Sequence, residues 1–169
     1  MPIWDIKERY KKVRANEIRN DRALLYNNAS SAIEKINIST TGNSSSFGTL
    51  TQHRGSSSCF TSTTRGICVN GSFTGTAQTN ILDYVTIASE GNAADFGDST
   101  NSTRDGSEGA LGNNVRGIRG GGATPSHSNV IDYNFMASLG DSIDFGDLAA
   151  ATRAGGAVSS TTRGLFAGG

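Results

Sequence analysis

The chain has 169 residues, 35% of them apolar and 7% aromatic, with 22 glycines and a formal net charge of zero. So little bulky apolar surface excludes one thick core, and so little positive charge gives no support for a nucleic-acid surface; the glycine content suits short strands joined by many turns. No apolar run is long enough to span a membrane, and charge begins at Asp5 with no apolar block behind it, so no secretory leader is expected and synthesis is assigned to a cytoplasm.

Residues 1–30 read as an arm and residues 31–169 as a repeat region. The arm holds seven basic and four acidic residues, which leaves eight and eleven for the remainder, and no lysine follows Lys35. A helix is expected over residues 5–26. Asp5 stands at the N-cap with Glu8 in the capping-box position, and Ile6, Tyr10 and Val13 make one narrow apolar stripe that Leu24, Leu25 and Tyr26 extend. Such a helix is marginal alone and is expected to dock, either on the chain's own repeats or, the preferred reading, through Trp4, Ile6, Tyr10 and Val13 as an anchor into a larger assembly. Deleting the arm is expected to spare the repeats but prevent assembly.

The repeat region copies itself at an interval of 49 residues. Gly42-x4-Phe47-Gly48 recurs as Gly91-x4-Phe96-Gly97 and Gly140-x4-Phe145-Gly146. In each copy an apolar strand comes first: Ala32–Ser39, Ile81–Ala88 and Val130–Ala137. A Gly turn follows, then a short strand through the Phe-Gly, then an arginine (Arg54, Arg104, Arg153) with a third strand. The fourth strand opens on Arg65, Arg116 or Arg163 and ends in glycines. The expected fold is therefore all-β, with four-stranded repeats at about 32–80, 81–129 and 130–169 stacked as propeller-like units. Phe47, Phe96 and Phe145 are expected to be buried between successive units, with Arg65, Arg116 and Arg163 helping to pack them. Gly168-Gly169 fall where another copy would begin, so further repeats or other chains are expected to continue the array.

Little in this pattern calls for catalysis. Asp95-Phe96-Gly97 and Asp144-Phe145-Gly146 spell a kinase metal triplet, but no phosphate loop or catalytic loop accompanies them. The carboxylates Asp95, Asp98, Asp144 and Asp147 sit where Ser46 and Thr49 stand in the first copy, which assigns them to turns or to pairing with Arg104 and Arg153. The arginines are otherwise expected on Glu34, Asp83 and Asp132, or between strands. His53 and His127 are unrelated in register. Cys59 and Cys68 flank a hairpin turn and are expected as free thiols. The Arg116–Gly122 stretch faintly resembles an RNA-binding segment, but its register in the repeat accounts for it. No metal or cofactor is expected.

The order of elements resembles the kelch motif: an apolar strand ending in Gly-Gly, a strand with an acidic-Tyr pair, an aromatic, then an arginine. Phe stands for the usual Trp, and Asp-Tyr for Tyr-Asp. The wording of the last copy goes further. Asn129-Val130-Ile131-Asp132-Tyr133, Asp144–Leu148 and Ser159–Gly169 resemble tandem repeats in structural proteins of tailed bacteriophages, especially cyanophages. The resemblance covers residues 32–169 and transfers no catalytic residue. It implies a non-enzymatic, oligomeric tail-fibre or appendage component of the virion, bound to other tail or neck proteins and meeting a host-surface glycan. A carbohydrate-binding β-trefoil is the other fold that three four-stranded repeats allow.

Overall fold

The computed structural model describes residues 21–26, 30–73, 77–103, 109–124, 126–153 and 155–169. The anchoring residues Trp4, Ile6, Tyr10 and Val13 lie outside them, as does Arg104. The described end of the arm corrects the helix expectation. Arg22–Tyr26 is strand β1, antiparallel to β2 (Ser30–Asn37), with Leu24 opposite Lys35 and Tyr26 opposite Ile33. Leu24 and Tyr26 alternate onto a cluster containing Ile33 and Phe47. That cross-strand burial outweighs a short helical stripe, which sequence periodicity alone cannot foresee.

All described regular structure is β. After β1 and β2 come β3 (Ser45–Arg54), β4 (Ser58–Thr61), β5 (Arg65–Val69), β6 (Ser72–Phe73), β7 (Ala77–Thr86) and β8 (Ala94–Thr103). The third stretch runs through β9 (Gly109–Gly112), β10 (Arg116–Gly120), β11 (Ala123–Thr124), β12 (Ser126–Phe135) and β13 (Ile143–Thr152), and the chain closes with β14 (Gly156–Ser159) and β15 (Gly164–Ala167). They form four antiparallel sheets: β1-β2-β3, β4-β5-β7-β8, β9-β10-β12-β13 and β14-β15, with β6 and β11 as short additions beside β7 and β12. Each complete sheet takes two strands from one sequence copy and two from the next. The 49-residue period thus fixes the size of the unit but not its starting point.

The core lies between sheets. Phe47 and Leu50 of the first sheet meet Cys68 and Val85 of the second. Phe60, Ile67, Val69, Leu82 and Phe96 of the second meet Met136 of the third, with Tyr84 edge-on to Phe96 at 5.8 Å. Phe47 and Phe96 are therefore buried at seams as expected. Phe145 is not: it is 52% exposed, because β14-β15 supplies no outer strands to cover it.

The Gly landmarks explain themselves at the same seams. The amide of Gly91 donates to the carbonyl of Phe47 at 3.0 Å and that of Ala93 to Thr49 at 2.7 Å, while Asn92 Oδ1 accepts from the Thr49 amide at 3.1 Å. One period later Gly140 donates to Phe96, Ser142 to Asp98, and Asp141 Oδ1 accepts from Asp98. A Gly-Asx turn of each sheet thus clips onto the Phe-Gly strand of the sheet before it. The backbones approach so closely that a Cβ on Gly48 would collide with the Gly91 carbonyl, whereas one on Gly42 would meet nothing within 4 Å. Gly48→Ala is accordingly expected to lower the urea midpoint by the equivalent of more than about 1 kcal/mol, and Gly42→Ala to leave it unchanged.

Candidate functional site

Two carboxylates of the repeats, Asp83 and Asp132, are buried at the seams. Asp83 is fully buried, and Arg54 Nη2 lies 2.8 Å from its Oδ2. The Thr51 hydroxyl donates to Asp83 Oδ1 at 2.7 Å and the Thr51 amide to Oδ2 at 3.0 Å. At the next seam Thr100 repeats both bonds on Asp132, and Arg119 Nη2 reaches Asp132 Oδ2 at 2.5 Å. The cation comes from opposite sides in the two cases. Arg54 belongs to the preceding sheet, on β3; Arg119 sits on β10, directly opposite Asp132 in its own sheet.

This corrects the expected arginine series. The positions 49 and 98 residues after Arg54 are Thr103 and Thr152, not Arg104 and Arg153, and Arg153 is exposed. The partner of Asp132 is Arg119, whose place in the glycine-rich stretch gives no sign of that pairing. Thr103 is engaged elsewhere, its hydroxyl accepting from the side-chain amide of Asn70 at 2.7 Å. With Thr103 so occupied, the third sheet brings its own guanidinium. Two other expectations hold in part. Asp95 and Asp144 accept from the amides of Gly97 and Gly146, but within strands β8 and β13 and not in the turns between strands. Arg65 donates to the Met136 carbonyl at 2.9 Å while its guanidinium covers the Tyr84 ring. Arg22 is an unforeseen member of that series, donating to Ile87, one period earlier, at 2.6 Å. Arg116 covers Tyr133, and Arg163 is exposed.

The two cysteines face each other in register across the β4-β5 hairpin, both as free thiols. The hydrogen bond between them holds the Cys59 pKa well up and the Cys68 pKa down. Burial pushes the nearby Tyr26 hydroxyl well above the usual tyrosine range, and that hydroxyl has no hydrogen-bond partner. Neutral Tyr26 therefore contributes stability that is fully present below about pH 10 and is lost as pH rises through the raised value. Urea midpoints should fall on the alkaline side for the parent and less for Tyr26→Phe, which is also expected to be at least as stable at neutral pH.

A cleft of about 680 Å³ lies where the β4-β5, β9-β10 and β14-β15 turns converge. Each turn opens on a side-chain oxygen that accepts two amides. Ser62 Oγ takes those of Thr64 and Arg65, Asn113 Oδ1 those of Val115 and Arg116, and Ser160 Oγ those of Thr162 and Arg163. The turns are also tied to one another, with the Thr63 amide on Asn114 Oδ1 at 2.9 Å and Asn113 Nδ2 on the Thr161 carbonyl at 3.0 Å. Leu24, Ile38 and Ile87 give the cleft apolar walls, and Arg22 is its charged lining residue. The polar side chains of these turns are thus engaged with one another, beside walls that are mostly hydrocarbon. Sequence reading finds the turns but not their convergence, since three-dimensional closeness at this spacing leaves no local signal.

No protein-family model matches the chain, and no curated protein matches it. Among solved structures it is similar to one titled "Structure of YjhT", with a TM-score of 0.61, 14% identity, and coverage of 96% of this chain and 51% of that chain. The chain thus spans about half the length of that neighbour, and at this identity the likeness is one of fold alone.

Proposed function

We propose that this chain is a non-enzymatic structural protein of a bacteriophage virion, a tail-fibre or appendage component whose sheets are the blades of a propeller-like array. The observation that carries this reading is where its repeated polar and aromatic residues go. Asp83, Asp132, Phe47 and Phe96 are all buried at seams between sheets, so the repeated residues hold the array together. The phage-like wording of the last copy supplies the setting. In this reading residues 1–30 attach the chain to other tail or neck proteins, and the turn-lined cleft meets a host-surface glycan. The protein is made in the host cytoplasm and ends on the particle.

Mass spectrometry of purified particles tests the setting, and absence of the chain from them would end it. Binding of the purified chain to immobilised neutral oligosaccharides tests the recognition role. Asn114→Ala, which removes the exposed bond that ties two turns across the cleft, is expected to weaken that binding by up to about tenfold, the net value of one intramolecular hydrogen bond that sets the turn spacing. Hydrolysis of the bound sugar would overturn the non-enzymatic assignment.

A further inference from the structure

The two seams of this chain use matched halves, and one of each half is left over. On β13, Phe145-Gly146-Asp147 repeats the strand that receives a Gly-Asx turn in the earlier copies, yet nothing lies within 4 Å of a Cβ built on Gly146. At the other end, Gly42-Asn43 repeats the turn that clips onto such a strand, and it is exposed. Among the described residues β15 pairs only with β14, so its outer edge is free.

We propose that two copies of this chain close on one another, each sheet β14-β15 being completed by β2-β3 of the second copy. This rests on reading the sheets as blades. In the completed sheet β15 displaces β1 of the second copy from the edge of β2 that β1 holds in the single chain. Gly42-Asn43 of one copy then clips onto Phe145-Gly146 of the other, and Arg116 faces the Ile38 carbonyl as Arg22 faces Ile87 and Arg65 faces Met136.

Two further observations agree. Ile38, Phe145, Val158 and Leu165 are 66%, 52%, 65% and 65% exposed, whereas their register counterparts Met136, Phe96, Leu111 and Ile67 are 2%, 2%, 7% and 0% exposed. The pairing would bury all four. β1 fits its edge imperfectly, since it buries the unpartnered Tyr26 hydroxyl, where β15 would bring Ala167.

Light scattering on the full chain is expected to give twice its 17.6 kDa mass. Transferring the β5-β7 register to β15 and β2 places Leu165 opposite Lys35 of the second copy, whereas in the single chain Lys35 faces Leu24. Under mild oxidation Leu165→Cys with Lys35→Cys should give a covalent pair of chains, and Leu24→Cys with Lys35→Cys should cross-link little. Strand circular dichroism checks that both variants fold. A single-chain mass with cross-linking only in the second variant would overturn the proposal while leaving the blade reading intact. Masses that grow without limit would overturn closure, and a two-chain particle with an elongated scattering profile would overturn closure and the blade reading together.

Discussion

Phe96→Ala is expected to cost about 3–5 kcal/mol of folding stability, read from urea unfolding. The ring is 2% exposed, lies edge-on to Tyr84 and is packed with Leu82 and Met136, so its loss opens a cavity shared by two sheets. Neither sheet can collapse into that space without pulling Gly140 off the Phe96 carbonyl, where it is held at 2.8 Å. Phe145→Ala alters the same letter of the repeat but removes a half-exposed ring, and at protein concentrations too low for two copies to pair its folding midpoint should stay within about 0.5 kcal/mol of the parent. Its effect should instead be on the light-scattering mass if two copies pair. Equal costs for the two substitutions would mean that the landmark acts within its own strand and not across seams.

Arg54→Thr is expected to be comparably severe, costing roughly 3–5 kcal/mol, because it leaves the Asp83 carboxylate buried with only Thr51 to satisfy it. The third sheet points to the remedy. Cys68 stands opposite Asp83 as Arg119 stands opposite Asp132, so Cys68→Arg in the Arg54→Thr background brings a guanidinium from the other side of the same carboxylate. Most of the lost stability should return. Urea midpoints of the two single variants and the double variant decide it. A double variant no more stable than Arg54→Thr alone would show that the seams are not interchangeable in this sense.

How much of this is legible in the sequence depends on whether the signal is local or spread across the fold. The period, the strands and the Phe-Gly landmark are readable because each copy repeats them in register. Leu24, Leu25 and Tyr26 mislead because they continue a helical spacing, and their strand partner, β2, begins four residues later where no local window registers pairing. Arg54 misleads for a smaller reason: it lies seven residues after its phenylalanine, while Arg104 and Arg153 lie eight after theirs, and one residue reverses the face of a strand. Arg119 is visible as a residue but not as a partner, since only the β10-β12 register sets it opposite Asp132. The exposure of Phe145 cannot be read at all, because the letter is the same and only the neighbour differs.

The changing origin of the guanidinium means that the copies cannot be shuffled at will. An outer strand carrying Arg54 set before a sheet carrying Arg119 would press two cations on one carboxylate. An outer strand carrying Thr103 set before a sheet carrying Cys68 would leave that carboxylate bare. Each sheet thus states which neighbour it accepts, and the order of nearly identical units along the chain is written into the charges that no solvent reaches.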